Sequence, residues 1–297
     1  MKSNDISLPT VPFRTRGGVR VPHRKTTSTC ESIVMTVPSQ VSIPMQQHIG
    51  APCKPTVKVG DIVCVGQVIG DSDQFVSAPI HATVSGKVLK IADIPMTNGA
   101  KCQAVVIASD GLQTPYSELK PPKTDTLDEF LSAVRASGLV GLGGAGFPTH
   151  VKLRVPKDKN VDTLVVNGAE CEPYITTDHR EFLENSENIL YAIVKVKEML
   201  NLKRVVIGIE KNKPDAIELM RNLIKKEGKS DYIAVLALKA SYPQGGEKVL
   251  IEACTGRVVE MGKLPADAGC IVMNVTSLGK LAEYLKTGMP LVPKDLQ

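Results

Sequence analysis

Residues 139–150, LVGLGGAGFPTH, place Gly141, Gly143 and Gly146 in the spacing G-x-G-x-x-G. Glycines at this spacing let a backbone approach the phosphates of a nucleotide closely, because glycine has no Cβ. A dinucleotide-binding loop of this kind follows a β-strand and opens a helix. The residues before this loop, TLDEFLSAVRASG, instead predict an amphipathic helix that begins at Thr126. The glycine spacing alone therefore favours a tight packing turn over a nucleotide site.

A second polar segment, NGAECEPYITTDHR, begins at Asn167 and follows an apolar run that predicts a buried strand. It holds two carboxylates, Glu170 and Glu172, separated by one residue. In a ligand crevice these carboxylates could accept hydrogen bonds from hydroxyl and amide groups, whereas burial without partners would cost several kcal/mol. The alternative is a solvated acidic loop that caps the next helix. The residues by themselves leave both interpretations open.

The elements expected to position these residues fall into four segments. Residues 1–40 are an extended N-terminal segment, residues 41–110 hold short β runs broken by glycine, and residues 111–126 form a polar linker that contains prolines. From residue 127 to residue 297, strand and helix patterns alternate, which predicts right-handed crossovers and a mainly parallel sheet. The predicted class is α/β, with a small all-β domain before a mainly parallel domain.

The order of these elements also predicts where a ligand binds. In a parallel sheet covered by helices, the ligand crevice lies at the carboxyl ends of the strands. Here these ends come just after Val166 and Val275. The polar segment that begins at Asn167 is therefore expected to line the crevice.

The composition excludes several classes of protein. The formal net charge is +5, and the basic residues 14–25 lack the interleaved aromatic residues typical of nucleic-acid binding, so we expect no nucleic-acid partner. No stretch approaches the roughly 18 apolar residues of a membrane span. The seven cysteines include no C-x-x-C pair. We therefore expect a cytoplasmic chain that holds no metal and that meets the inner face of a membrane through partners.

Longer motifs reveal a family resemblance. The chain resembles the flavin-binding domain of the 51-kDa NADH-oxidising subunit of respiratory complex I in GLGGAGFPTHVKL and NGAECEPYITTDHR. It is also similar to the RnfC family of the Rnf ion-translocating electron-transport complex. The matching motifs occur in the same order along nearly the whole chain, namely GGVRVPHRK, QQHIGAPCKPTVKVGD, FVSAPIHATVSG, YPQGGEK and GKLPADAGCIVMNV. The electron-transfer protein associated with clostridial D-proline reductase shares this layout, and APCKP with YLKTGMPLV fits that branch about as well.

The all-β segment resembles the biotinyl/lipoyl barrel-sandwich hybrid family in VKVGDIVCVGQVIG followed by APIHATVSGKV. Carrier members of that family place an acceptor lysine on the hairpin between these two stretches. No lysine occurs between Gly70 and Gly86. We therefore expect a docking or structural module without a swinging arm.

The resemblance implies a noncovalent FMN that lies over the glycine loop, with NADH stacked on its ring. Gly143, Gly144 and Gly146 would admit the flavin and the nicotinamide to the backbone, and Phe147 would flank the nicotinamide. Lys152 would meet the FMN phosphate or ribityl region. A phosphate needs amide donors and a cation, which the loop and this lysine supply.

The resemblance also assigns residues of the polar segment and the last strand. Asn167 and Glu170 would bond to the ribityl chain and the isoalloxazine edge, and Glu172 would bind NADH. Asn274 would close the flavin site. No side chain would act as a nucleophile, because hydride transfer is the chemistry of the flavin.

The chain departs from its relatives in two places. Where the complex I protein has N-A-D-E, this chain has Asn-Gly-Ala-Glu from residue 167, as Rnf relatives do. This chain therefore lacks one carboxylate. Full-length RnfC proteins continue into a second β domain and two cysteine runs that hold [4Fe–4S] clusters, whereas this sequence stops at Gln297 without such a motif. Either the sequence is a truncated form, which we favour, or the electrons leave through another protein.

These observations lead to one expected function and two alternatives. We expect an electron-transfer flavoprotein subunit that accepts hydride from NADH on FMN and passes electrons to other members of a complex. One alternative is a protein that feeds electrons to a proline reductase, which a reactive thiol at Cys53 would favour. The other is a cofactor-free docking adaptor for a reductase complex.

Overall fold

A computed structural model describes residues 7–97, 99–292 and 295–296 of the chain. The chain divides into two compact units. The β unit contains Ile33–Arg154 and Lys280–Leu296, and the α/β unit contains the described residues up to Ser32 together with Val155–Gly279.

The first half of the chain folds mainly into short strands. In chain order these elements are β1 (Ile33–Val34), β2 (Gln40–Pro44), β3 (Lys54–Pro55), β4 (Ile62–Val63), β5 (Val68–Asp71), β6 (Ile80–His81), β7 (Gly86–Pro95), β8 (Lys101–Ser109), α1 (Leu127–Ala136) and α2 (Thr149–Leu153).

Two antiparallel sheets form the core of the β unit, with strand orders β2-β8-β7-β4 and β3-β5-β6, and β1 forms a separate antiparallel pair with Asp295–Leu296 in the same unit. Apolar side chains from both sheets share one core, which includes Val63, Ile69, Val88 and Ile107. At the start of β7, Gly86 has φ +150°, and a Cβ there would overlap the carbonyl oxygen of Ala108. Glycine is therefore required where this strand meets β8.

The helix before the glycine loop forms as predicted. The Thr126 hydroxyl accepts a hydrogen bond from the Glu129 amide at 3.2 Å, and the Glu129 carboxylate accepts one from the Thr126 amide at 3.1 Å. This reciprocal capping satisfies amides that the first turn would otherwise leave unpaired. The prediction that the glycine loop follows a helix is thus confirmed.

The second half of the chain alternates strand and helix. Its elements are β9 (Thr163–Gly168), α3 (Thr177–Met199), β10 (Arg204–Glu210), α4 (Pro214–Lys226), β11 (Ile233–Leu238), α5 (Glu247–Thr255), a short 3-10 helix (Pro265–Ala268), β12 (Cys270–Asn274), α6 (Val275–Thr287) and β13 (Asp295–Leu296), which pairs with β1.

The sheet of the α/β unit is parallel throughout, in the order β11-β10-β9-β12. The chain moves outward from β9 through β10 to β11 and then returns to the other side of β9. The strand order therefore reverses between β9 and β12, which is the position where open parallel sheets bind ligands. The antiparallel sheets of the β unit and the parallel sheet of the α/β unit confirm the predicted class, although the β unit also contains α1 and α2. The four domain boundaries stay predictions.

Candidate functional site

The glycine loop lies in the β unit between α1 and α2. Gly143 and Gly146 have φ +73° and φ +66°, a backbone conformation that favours glycine. Gly144 differs, because a Cβ added there would meet no atom within 4 Å. The loop is held by hydrogen bonds from the Gly141 amide to the Phe147 carbonyl at 2.9 Å and from the Ile49 amide to the Gly146 carbonyl at 3.1 Å. The loop is thus firmly anchored while its backbone stays open at Gly144.

The residues that follow this loop have mixed exposure. Phe147 is half-buried, and Lys152 lies half-buried on α2. His150 on the same helix is buried, with its Nε2 3.3 Å from the Phe75 carbonyl oxygen. Burial lowers the pKa of His150, so the imidazole is neutral at pH 7.

Two asparagines mark the reversal point of the sheet in the α/β unit. Asn167 on β9 and Asn274 on β12 are partners in the parallel register. The Asn167 side chain donates to the Gly245 carbonyl at 3.0 Å and accepts from the Ala169 amide at 3.1 Å. It therefore joins the loop after β9 to the loop after β11.

Asn274 connects different elements. Its amide nitrogen donates to the Asp178 carboxylate at 2.8 Å, and its oxygen accepts from the backbone amides of Thr276 and Ser277 at 2.9 and 3.2 Å. Asp178 also accepts from the Thr276 hydroxyl at 2.9 Å. Burial raises the pKa of Asp178 to about 6 despite these hydrogen bonds. The start of α6 is thereby tied to the start of α3.

Glu170 and Glu172 occupy different environments. Glu170 is 3% exposed, and its carboxylate accepts a hydrogen bond from the Asp178 amide at 2.7 Å, close to the start of α3. Burial first, and then the Asp178 carboxylate, raise the pKa of Glu170 to about 7, against the opposing effect of nearby lysines. Glu172 is exposed. One carboxylate thus contributes to the helix start, and the other is open to solvent.

Lys25, which was not among the predicted site residues, holds this acidic loop. Its Nζ donates to the backbone carbonyls of Glu170, Glu172 and Ile175 at 2.8, 3.0 and 2.6 Å. The same atom lies 3.4 Å from the Glu170 carboxylate. The one signal in the sequence was its place at the end of GGVRVPHRK, a motif shared with the RnfC family.

A buried ion pair lies beneath the same loop. Lys213 Nζ is 3.1 Å from the Glu210 carboxylate, and their side chains are 2% and 0% exposed. Lys213 Nζ is also 3.5 Å from the Glu170 carbonyl oxygen. Within the part of the chain that the structure describes, Glu210 Oε1 and Gln244 Nε2 are buried without a hydrogen-bond partner. The signal in the sequence that could have identified this pair is Glu210, a charged residue at the end of a buried strand.

Cys53 lies in the core of the β unit. Its thiol is 3.2 Å from the Ala78 carbonyl oxygen and 3.8 Å from His48 Nε2. Burial raises the pKa of this thiol, so it is protonated at pH 7 and is a poor nucleophile. The geometry therefore does not favour a reactive thiol at this position.

Over residues 7–97, 99–292 and 295–296, no helix has both the length and the apolar character needed to cross a membrane.

Two domain families match the chain. Residues 13–112 match the RnfC barrel sandwich hybrid domain, and residues 134–283 match the Nuo51 FMN-binding domain. These matches confirm the predicted barrel-sandwich hybrid and the α/β flavin-binding fold. They define the class: a protein in which a barrel-sandwich hybrid domain is followed along the chain by an FMN-binding domain.

The chain belongs to the RnfC family, which is related to the 51-kDa protein of complex I. It is 45% identical over 289 residues to the C subunit of the Na⁺-translocating ferredoxin:NAD⁺ oxidoreductase complex of Acetobacterium woodii, covering 95% of this chain and 64% of that protein. It is 44% identical over 284 residues to the C subunit of the proton-translocating ferredoxin:NAD⁺ oxidoreductase complex of Clostridium ljungdahlii, covering 94% and 61%. The chain thus spans less than two thirds of the length of these relatives.

Proposed function

We propose that this chain binds FMN and NADH, takes a hydride from NADH and passes electrons to other members of an ion-translocating oxidoreductase complex. One observation carries the proposal: residues 134–283 match an FMN-binding domain. All nine predicted site residues fall inside that range, namely Gly143, Gly144, Gly146, Phe147, Lys152, Asn167, Glu170, Glu172 and Asn274.

The residues present fit a flavin and a dinucleotide chemically. Gly144 leaves the backbone open, which a planar ring requires for close approach. At the carboxyl edge of the parallel sheet, Gln244 Nε2 is a buried donor without a partner among the residues described. A buried donor in this state is satisfied by a ligand or water. Bound FMN supplies the chemistry, which is acceptance of a hydride and release of electrons one at a time.

In the β unit, Gly143, Gly144 and Gly146 admit the ring to the backbone. Phe147 flanks the nicotinamide with an aromatic face, and Lys152 supplies a cation for the FMN phosphate or ribityl region. These roles need an anchored loop, because a mobile backbone would lose conformational entropy on binding, which would weaken the binding.

In the α/β unit, Asn167 and Asn274 fix the loops at the reversal point of the sheet and present polar groups to the ribityl chain. Glu170 contacts the isoalloxazine edge, and its pKa of about 7 lets it hold or release a proton near neutral pH. Glu172 is exposed and accepts hydrogen bonds from NADH.

The relatives support a proposal about partners, because each is named as one subunit of an oxidoreductase complex. We propose that electrons leave this chain to the other proteins of such a complex, and that any attachment to a membrane is made through them.

The test is whether the purified chain binds FMN and whether NADH reduces it. We expect a yellow protein with flavin absorbance, which bleaches when NADH is added without oxygen. A protein that stays colourless after incubation with FMN would contradict the proposal and support the adaptor. Retention of FMN without bleaching by NADH would contradict the hydride-accepting role.

A further inference from the structure

The N-terminal segment of the α/β unit forms an anchored arch over residues 14–18. On one side the Phe13 amide donates to the Ala253 carbonyl at 2.9 Å, and the Phe13 ring packs against Gly256. On the other side Val19 and Tyr242 exchange two backbone hydrogen bonds of 2.7 and 2.8 Å. The arch is therefore fixed at both ends before any ligand binds.

A partly open cavity of about 740 Å³ lies under this arch, and its lining is strongly basic. It is lined by Arg14, Thr15, Arg16, Gly17 and Lys239. Three of the five lining residues are cations and none is an acid. Across the described parts of the chain, no ion pair joins Arg14, Arg16 or Lys239 to a carboxylate.

The three cations are exposed at the mouth of one cavity, so a polyanion held there would be attracted by all three. Lys239 directly follows β11 and therefore lies at the carboxyl edge of the parallel sheet, where ligands bind in this class of fold. Gly17 has φ +84°, and a Cβ there would meet no atom within 4 Å. The backbone of the arch is thus open to a ligand.

We propose that this cavity binds the diphosphate group of a phosphate-bearing ligand. Two guanidinium groups offer paired donors that match phosphate oxygens, and the Thr15 hydroxyl offers a further donor. The cavity is concave and framed by fixed backbone, which suits a compact anion better than the broad face of an acidic protein. This site is independent of the proposed function, because its residues are distinct from the nine assigned to FMN and NADH.

The test is a calorimetric titration of the full chain with inorganic pyrophosphate. The variant Arg14→Gln/Arg16→Gln/Lys239→Gln is compared with Lys157→Gln/Lys225→Gln/Lys226→Gln, which removes three exposed cations elsewhere in the same unit. Because the first variant loses every cation of the cavity, we expect it to bind pyrophosphate about tenfold more weakly or worse. We expect the control variant to bind within about twofold of the unmodified chain, because exposed charges at a distance are screened by salt.

Equal weakening in both variants would show adventitious binding to a basic surface and would overturn the proposal, as would no binding by the unmodified chain. Circular dichroism and thermal unfolding establish that the first variant is folded. If that variant is unfolded, the single change Lys239→Gln replaces it, with Lys157→Gln as its control, and the same comparison decides. Titration with ADP-ribose, run alongside, separates a nucleotide diphosphate from free pyrophosphate as the preferred source of the anion.

Discussion

Asn167 and Asn274 are register partners on adjacent parallel strands, and each joins its strand end to a different loop or helix. Asn167 binds the Gly245 carbonyl, and Asn274 binds the Asp178 carboxylate. This pair stands where the strand order reverses, so it organises the edge of the sheet at which a ligand is expected. The roles of the residues around this edge and in the glycine loop can each be tested by substitution.

The first prediction concerns the open backbone of the glycine loop. Gly144→Val should leave the fold intact, because a Cβ at this position meets no atom within 4 Å. It should nevertheless remove most bound FMN, because the valine side chain occupies the space proposed for the ring. The measurement is flavin content per chain, together with the melting temperature.

Gly146→Val is the contrasting variant. Gly146 has φ +66°, and a Cβ there would lie 3.2 Å from the Gln47 carbonyl oxygen, so this change should lower the melting temperature as well as the flavin content. Full flavin content in Gly144→Val would contradict the proposed position of the ring.

The second prediction separates NADH binding from FMN binding. Glu172→Gln should slow the bleaching of bound flavin by NADH while FMN content stays nearly unchanged, because this exposed carboxylate accepts bonds from NADH. The measurement is the rate of bleaching against NADH concentration. Glu218→Gln, an exposed change on α4, serves as the control and should leave that rate unaltered. Loss of FMN from Glu172→Gln would reassign the residue to the flavin.

The third prediction concerns the lysine that holds the acidic loop. Lys25→Met keeps the apolar stem but removes three hydrogen bonds to backbone carbonyls. Hydrogen bonds from charged groups are worth more than neutral ones, and part of the loss is recovered from water, so the free energy of unfolding should fall by about 2 to 4 kcal/mol. Denaturant unfolding measures this, with Lys157→Met as the control. A loss no larger than that of the control would show that the loop holds its shape without Lys25.

The fourth prediction is a dependence of stability on pH. The pKa of Glu170 rises from its ordinary 4.5 to about 7 on folding, because the carboxyl is buried. Between these values the folded protein keeps a proton that the unfolded chain releases. The contribution of Glu170 to the free energy of unfolding therefore decreases as the pH rises through this window, and it levels off above pH 7.

Glu170→Gln should remove this dependence, because glutamine stays neutral. From about pH 5 to about pH 8, the free energy of unfolding of the variant should rise by about 2 to 3 kcal/mol relative to that of the unmodified chain. The two proteins are compared by subtracting one stability curve from the other. Burial lowers the pKa of His81 to about 4, so His81 contributes to the pH dependence with the opposite sign. The subtraction removes this contribution because both proteins contain His81. Parallel stability curves would show that Glu170 does not titrate in this range.

Periodicity was sufficient to predict most of the fold. The helix from Leu127 to Ala136 has its apolar residues on one face and a capping box at its start, and both signals are local in the sequence. The four parallel strands of the α/β unit are short apolar runs between amphipathic helices, so their alternation predicted the sheet. These features depend on neighbouring residues and therefore require no knowledge of distant contacts.

The organisation of the acidic loop could not be predicted in this way. Lys25 lies 145 residues before Glu170, and nothing in its local sequence distinguishes it from the neighbouring arginines. Glu170 and Glu172 look alike in the sequence, yet one is buried and the other exposed, because the turn into α3 directs them differently. Such differences arise from tertiary packing, which a single sequence does not encode locally.

The contacts of Lys25 end on main-chain oxygens at residues 170, 172 and 175, and every residue type offers that oxygen. A substitution at Ile175 therefore leaves the hydrogen bond from Lys25 in place, whereas loss of Lys25 removes three hydrogen bonds at once. Among related sequences, position 25 should remain basic while position 175 varies freely.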